Sequence, residues 1–137
     1  MSPAEHHPLP AYARSLGIRY DREEDGIPVL AVDFGASVEG RPQHYHGGAT
    51  SGLLENAGYA ALRVTLEGIG REHQLKPINI TVQFLSAGKS KPMYAKGRIT
   101  KLGRRNANLV VEAWQDDRER PVATAVMNIL MGAPAEK

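Results

Sequence analysis

His46, Gly47 and Gly48 stand nine residues ahead of a carboxylate, Glu55, in a run that reads His46-Gly47-Gly48-Ala49-Thr50-Ser51-Gly52-Leu53-Leu54-Glu55. These residue types suit attack on an acyl group. A helix that starts at the glycines presents amides with no internal partner, and such amides attract negative charge. Glycine also lets a ligand come close to the backbone. Gly47 and Gly48 therefore read as a cradle for the oxyanion that develops when a carbonyl is attacked. Glu55, about two turns along, supplies either a general base for water or a nucleophile that gives an anhydride. The residues leave both routes open. The helical neighbours of Glu55 at three and four positions are Ser51, Gly52, Gly58 and Tyr59. Two glycines, a hydroxyl and a phenol around one carboxylate read as a groove with Glu55 buried at its floor.

Other chemistry fits less well. His44 and His46 lie two residues apart, but no third ligand follows at a metal-site spacing. Glu55 and Asp33 are left as candidates that would have to converge in space, and a capping or loop-bracing histidine is the better reading. Ser51 lacks a His-Asp pair to activate it, so a hydrogen bond to Glu55 or to backbone suits it better. Trp114 and Tyr94 read as core or interface aromatics, and no nucleic-acid motif accompanies the basic turns.

The elements that must hold these residues are legible from periodicity. Pro8 to Leu16 reads as a short helix closed by Gly17. Ile18 to Arg22 and Pro28 to Phe34 read as strands joined by Glu24-Asp25-Gly26. In the second strand both alternating sets are mostly apolar, so both faces need cover. Gly35 to His46 is a polar loop. A long helix of small and apolar residues runs from about Gly48 to Leu66 and stops near Gly68 and Gly70. In Ile78 to Leu85, Asn79, Thr81 and Gln83 face one way while Ile80, Val82 and Phe84 face the other. Met93 to Leu102, Ala107 to Gln115 and Val122 to Met131 complete an antiparallel meander. Gly103 to Asn106 and Asp116 to Glu119 are its turns. Such a sheet buries one face, and one long helix is available to fill it.

The 137 residues fit a single domain with one core and show no repeat or linker. No apolar run is long enough to span a membrane. Met1 to Pro10 lacks the apolar centre of a signal peptide. There is no cysteine, which removes disulfides, thiolate metal sites and a cysteine nucleophile. The reading is cytoplasmic. The net charge of +2 is small, and the basic residues cluster at Lys89-Ser90-Lys91 and Lys101-Leu102-Gly103-Arg104-Arg105. Those clusters suit either solvated turn tips or phosphate binding.

His-Gly-Gly, the carboxylate nine residues after the histidine, and the strand ending Phe84-Leu85-Ser86-Ala87-Gly88 together resemble the hotdog-fold acyl-CoA thioesterases of the phenylacetic-acid-degradation (PaaI) type. The resemblance spans roughly Ile18 to Met131. It implies an α+β hotdog fold over 1–137, a curved antiparallel sheet wrapped around one long helix. It further implies hydrolysis of an acyl-CoA thioester without a cofactor, by a homodimer with sites at the interface, often paired into a homotetramer. Glu55 matches the family's catalytic carboxylate, Gly47 the amide that polarises the thioester carbonyl, and His46 a loop-ordering histidine. Gly48, Ser51 and Tyr59 then border the substrate, and Arg104 and Arg105 match a basic turn near the CoA phosphates. Two positions depart from the pattern. Many members carry Asn or Gln where this chain has Gly40, and Gln43 or His44 is the replacement on offer. A Ser or Thr helper falls at Pro77, for which Asn79 and Thr81 are the substitutes. The alternatives on this fold are a non-catalytic acyl-CoA sensor and a hydratase or dehydratase.

Overall fold

Alternation of apolar and polar residues resolves into six strands: β1 (Arg19–Glu24), β2 (Ile27–Val32), β3 (Gln74–Phe84), β4 (Met93–Leu102), β5 (Asn106–Trp114) and β6 (Ala123–Gly132). Among the described residues two helices accompany them, α1 (Ala11–Ser15) and α2 (Gly47–Gly68). The computed structural model describes residues 7–134. The first six residues of the segment read against a signal peptide lie outside those described. The strands form one antiparallel sheet in the order β1-β2-β4-β5-β6-β3.

α2 fills the face that the sheet must bury. Its Leu53, Leu54, Ala57 and Leu62 are fully buried in one cluster with Leu109, Val111 and Ile129. Each leucine so buried contributes about 1.5–3 kcal/mol. Helix and sheet touch most closely where glycine faces glycine. A Cβ on Gly97 of β4 would lie 3.1 Å from the Gly58 Cα, and a Cβ on Gly58 would strike Met127. Val29, Leu30, Ala31 and Val32 are all buried, so β2 is covered on both faces as its composition requires.

The meander is shorter than expected. Only β4, β5 and β6 follow one another in space. β3 pairs with β6 and lies at the sheet edge, while β4 pairs with β2. Alternation tells which face a residue takes, but not which strand sits beside it. β3 also starts at Gln74, ahead of Ile78. It accommodates Pro77 at an edge position, where the register shifts between Pro77 and Asn79. Ile80 and Val82 pack toward α2, and Asn79, Thr81 and Gln83 take the opposite, outer face.

Candidate active site

The loop before α2 folds back on itself. The Gly40 amide donates to the His44 carbonyl at 3.0 Å, and the His46 amide to the Val38 carbonyl at 2.7 Å. A Cβ on Gly40 would lie 2.9 Å from the His46 Cα. Only glycine fits there, which explains the missing Asn or Gln: the two backbone stretches touch. Tyr45 pins the loop from below. Its hydroxyl donates to the Lys91 carbonyl at 2.6 Å and the Val32 carbonyl at 3.2 Å, and its ring meets Phe34 edge-on. Burial pushes the Tyr45 hydroxyl up to about 12.

His46 is the N-cap of α2. Its extended backbone (φ −67°, ψ 136°) leads into the helix, and its Nδ1 accepts from the Gly48 amide at 2.8 Å. The His46 carbonyl accepts from the amides of Ala49 and Thr50 at 3.0 and 3.1 Å. Of the first four amides of α2, three are therefore taken. Gly47 alone donates to nothing among the described residues. Gly47 borders a cavity of about 290 Å³ lined also by Arg41, His44, Thr50, Phe84 and Ser86. Helix-end geometry alone offers both Gly47 and Gly48 as donors, and the family resemblance singles out Gly47. The structure separates them, because the imidazole occupies Gly48.

His44 and Arg41 line that cavity, whereas Gln43 does not. The His44 Nδ1 lies 2.9 Å from the Pro42 carbonyl, which makes it the donor nitrogen. Among the described residues no three of His, Asp, Glu and Cys converge as a metal site would require. Arg41 and Phe84 went unnoticed as site residues in the sequence. Phe84, which opens the strand-end run Phe84 to Gly88, is 57% exposed, and a large exposed aromatic at a strand end is the signal that marks it.

Glu55 lies on the half-exposed stripe Ser51-Glu55-Tyr59-Arg63 of α2. The expected groove around it is filled. Gly52 is covered by Leu16 and Tyr12, and Gly58 by Met127 and Val111. Glu55 is thus a half-buried carboxylate on a ridge, not a floor, and it makes no hydrogen bond or ion pair with a described residue. The Ser51 hydroxyl bonds neither to it nor to backbone. Tyr59, one turn on, has its hydroxyl raised by burial and by the charge of Glu55, and the Arg63 guanidinium lies 5.3 Å from its ring centre.

Eight residues of helix separate Gly47 from Glu55, roughly 12 Å of axial rise. An oxyanion donor must lie about 3 Å from the oxygen it stabilises. The two groups of one chain therefore lie well apart for a single carbonyl. Asn79 and Thr81, on the outer face of the sheet, are not brought to either group, and Asn79 Oδ1 accepts from Asn128 at 2.8 Å. Arg104 and Arg105 are exposed in the β4–β5 turn. Arg71, just past the C-terminal end of α2, ties that turn down by donating to the carbonyls of Gly103 and Arg104 at 3.1 Å.

Residues 38–130 match the model of the acyl-CoA thioesterase N-terminal domain family. No curated protein matches the chain. Among solved structures, a protein from Chromobacterium violaceum is 28% identical, with 93% of this chain and 85% of that one covered and a TM-score of 0.71. A conserved protein from Pseudomonas aeruginosa is 22% identical over 94% of this chain and 99% of that one, TM-score 0.80. A phenylacetic acid degradation-related protein from Ralstonia eutropha is 21% identical over 94% and 96%, TM-score 0.77. The last two likenesses show the fold.

Proposed function

Because the chain belongs to the acyl-CoA thioesterase N-terminal domain family and has the hotdog fold of its thioesterases, we propose that it hydrolyses acyl-CoA thioesters at a site built from two copies of the chain. The observation that carries this reading is the amide of Gly47, without a partner among the described residues, at a capped helix end beside a cavity, with the carboxylate of Glu55 about two turns along the same helix. In this reading Gly47 of one copy polarises the thioester carbonyl. Glu55 of the other activates water or attacks the carbonyl itself, and the thiolate of CoA leaves without needing an acid. His46 acts through the loop, holding the helix end in place.

The sheet edge supports pairing. Among the described residues β3 has no neighbour on its outer side, and Ile78, Phe84 and Leu85 on or beside it are each at least half exposed. An open edge with large apolar side chains requires cover. A second copy across β3 provides it and places two α2 helices side by side. His44 and Arg41 stand where the side-chain donor absent at Gly40 would act. Arg104 and Arg105 lie toward the C-terminal end of the helix that carries Glu55, where the nucleotide end of an extended ligand would reach. Release of free thiol from a panel of acyl-CoAs tests the activity. No release from any chain length or aromatic acyl group would leave a sensor as the reading.

A further inference from the structure

The basic turn between β4 and β5 is held by its backbone, and part of the hold comes from the end of α2. The helix closes on Gly70, whose φ of +69° is the left-handed conformation that glycine supplies. The Gly70 amide donates to the Glu67 carbonyl at 3.1 Å and the Arg71 amide to the Leu66 carbonyl at 2.9 Å. These two bonds are the paired closure of a helix C-terminus. They fix the Arg71 backbone to a helix whose last turn is anchored by buried Leu66. From there the Arg71 side chain reaches the turn. A single nitrogen, Nη2, donates to the carbonyls of Gly103 and Arg104, each at 3.1 Å.

The next carbonyl is held too. Arg105 accepts from the Met131 amide of β6 at 2.8 Å, and the Gly103 amide donates to the Asn106 carbonyl at 2.9 Å. The successive carbonyls of Gly103, Arg104 and Arg105 are therefore all tied to the body of the protein. A peptide unit is planar, so tying its carbonyl restrains the whole plane. These planes flank the Cα atoms of Arg104 and Arg105, and with the planes restrained the Cα–Cβ bonds of both residues take set directions. Both arginines are exposed, and neither makes an ion pair with a described residue. A loose turn would add the ordering of its backbone to the ordering of two long side chains whenever they took up a ligand. Arg71 is the part of the hold that a side chain supplies.

Given the reading of this turn as the seat of the CoA phosphates, we infer that Arg71 is a positioning residue for them. It sets the directions in which Arg104 and Arg105 leave the chain and does not itself contact phosphate. The nitrogen nearest the turn has its hydrogens on two carbonyls. One rigid element, α2, thus carries Glu55 along its length and ends in the brace of the turn. A cation at a helix C-terminus is favourable by itself, but that role alone is indifferent to Arg104 and Arg105.

A double-mutant cycle separates the two roles. Coenzyme A is titrated calorimetrically into the whole chain as wild type, Arg71→Ala, the Arg104→Ala and Arg105→Ala pair, and the triple variant. Arg71→Ala should weaken CoA binding about three- to tenfold, the scale of leaving two side chains to be ordered on binding. Arg71→Lys, whose ammonium donates to the same carbonyls, should recover part of that loss. In the background without Arg104 and Arg105, Arg71→Ala should change nothing further. Trypsin reads the brace with no ligand present: cleavage after Arg104 and Arg105 should be faster in Arg71→Ala than in wild type, while the core strands stay protected. Binding is read without turnover, so a protein that takes up CoA and hydrolyses no acyl-CoA would lose the hydrolytic reading and keep this one. Equal CoA affinity in wild type and Arg71→Ala would overturn the inference. So would an undiminished loss when Arg71 is removed from the variant that already lacks the turn arginines.

Discussion

Gly47→Pro removes the one atom on which the proposed chemistry turns and little else. Proline has no N–H, and the Gly47 amide makes no hydrogen bond that the helix would miss. It occupies the first position of α2, where proline is well tolerated. His46 before it already has the extended backbone that a pre-proline residue prefers (φ −67°, ψ 136°). The neighbour to a new Cβ is the ring of Phe84 at 3.3 Å, an exposed side chain free to shift. Loss of one oxyanion donor costs about 2.7–4 kcal/mol, a hundred- to thousandfold fall in kcat. Gly47→Ala, which keeps the amide, should retain most activity and controls for Phe84. The same variant tests the shared site. Gly47→Pro and Glu55→Gln homodimers are both inactive in this reading, yet a mixed dimer has one site with both groups intact. Random reassortment of equal amounts should restore about one quarter of wild-type activity, since half the dimers are mixed and each has one good site of two. Thiol release after co-refolding measures this. Full activity in Gly47→Pro would remove the oxyanion role, and no recovery on mixing would place both groups in one chain, against the helix geometry.

The remaining predictions concern other residues. Glu55→Gln should lower turnover about a hundredfold or more, while the melting temperature hardly moves, because the carboxylate is half exposed and unpaired; near wild-type hydrolysis would exclude Glu55. Replacing Arg104 and Arg105 together by Ala should raise KM for acyl-CoA and leave kcat and the hydrolysis of an acyl-pantetheine unchanged, since a phosphate contact is remote from the carbonyl; an unchanged KM would leave them as surface charge. Tyr45 holds its proton to about 12 in the folded chain, above the ordinary tyrosine value of about 10. The unfolded chain therefore releases that proton first, and stability falls as pH rises from about 10 to 12. Urea titrations should show this loss reduced in Tyr45→Phe, at a neutral-pH cost of about 1 kcal/mol for the lost hydrogen bonds.

Much of the fold was legible because period reports burial directly. Met93 to Leu102 was bounded as observed, and the faces of β3 and the double burial of β2 followed from alternation alone. The position of β3 was not legible, since an alternating strand fits beside any partner of matching pattern. The site was half legible. His-Gly-Gly before an apolar run marked the helix start, but only coordinates show that the imidazole takes the Gly48 amide. The glycines near Glu55 misled for a physical reason: a helix uses small residues both to open a groove and to let neighbours close in. Here Leu16, Tyr12 and Met127 close in, so Gly52 and Gly58 serve packing. Asn79 and Thr81 do not stand beside Gly47 or Glu55 of their own chain, because the polar alternation of β3 faces away from the helix.

The N-cap of α2 has a consequence for turnover. Hydrolysis makes a carboxylate where a neutral thioester stood, and a helix end with several free amides is a trap for such anions. With His46 holding the amides of Gly48, Ala49 and Thr50, one donor remains. One donor is enough to steady a transient charge on a carbonyl oxygen, and too few to grip both oxygens of the acid that follows. In the proposed reaction the imidazole, by taking the Gly48 amide, would speed the departure of product, and a variant stripped of this cap is expected to stall on its own product.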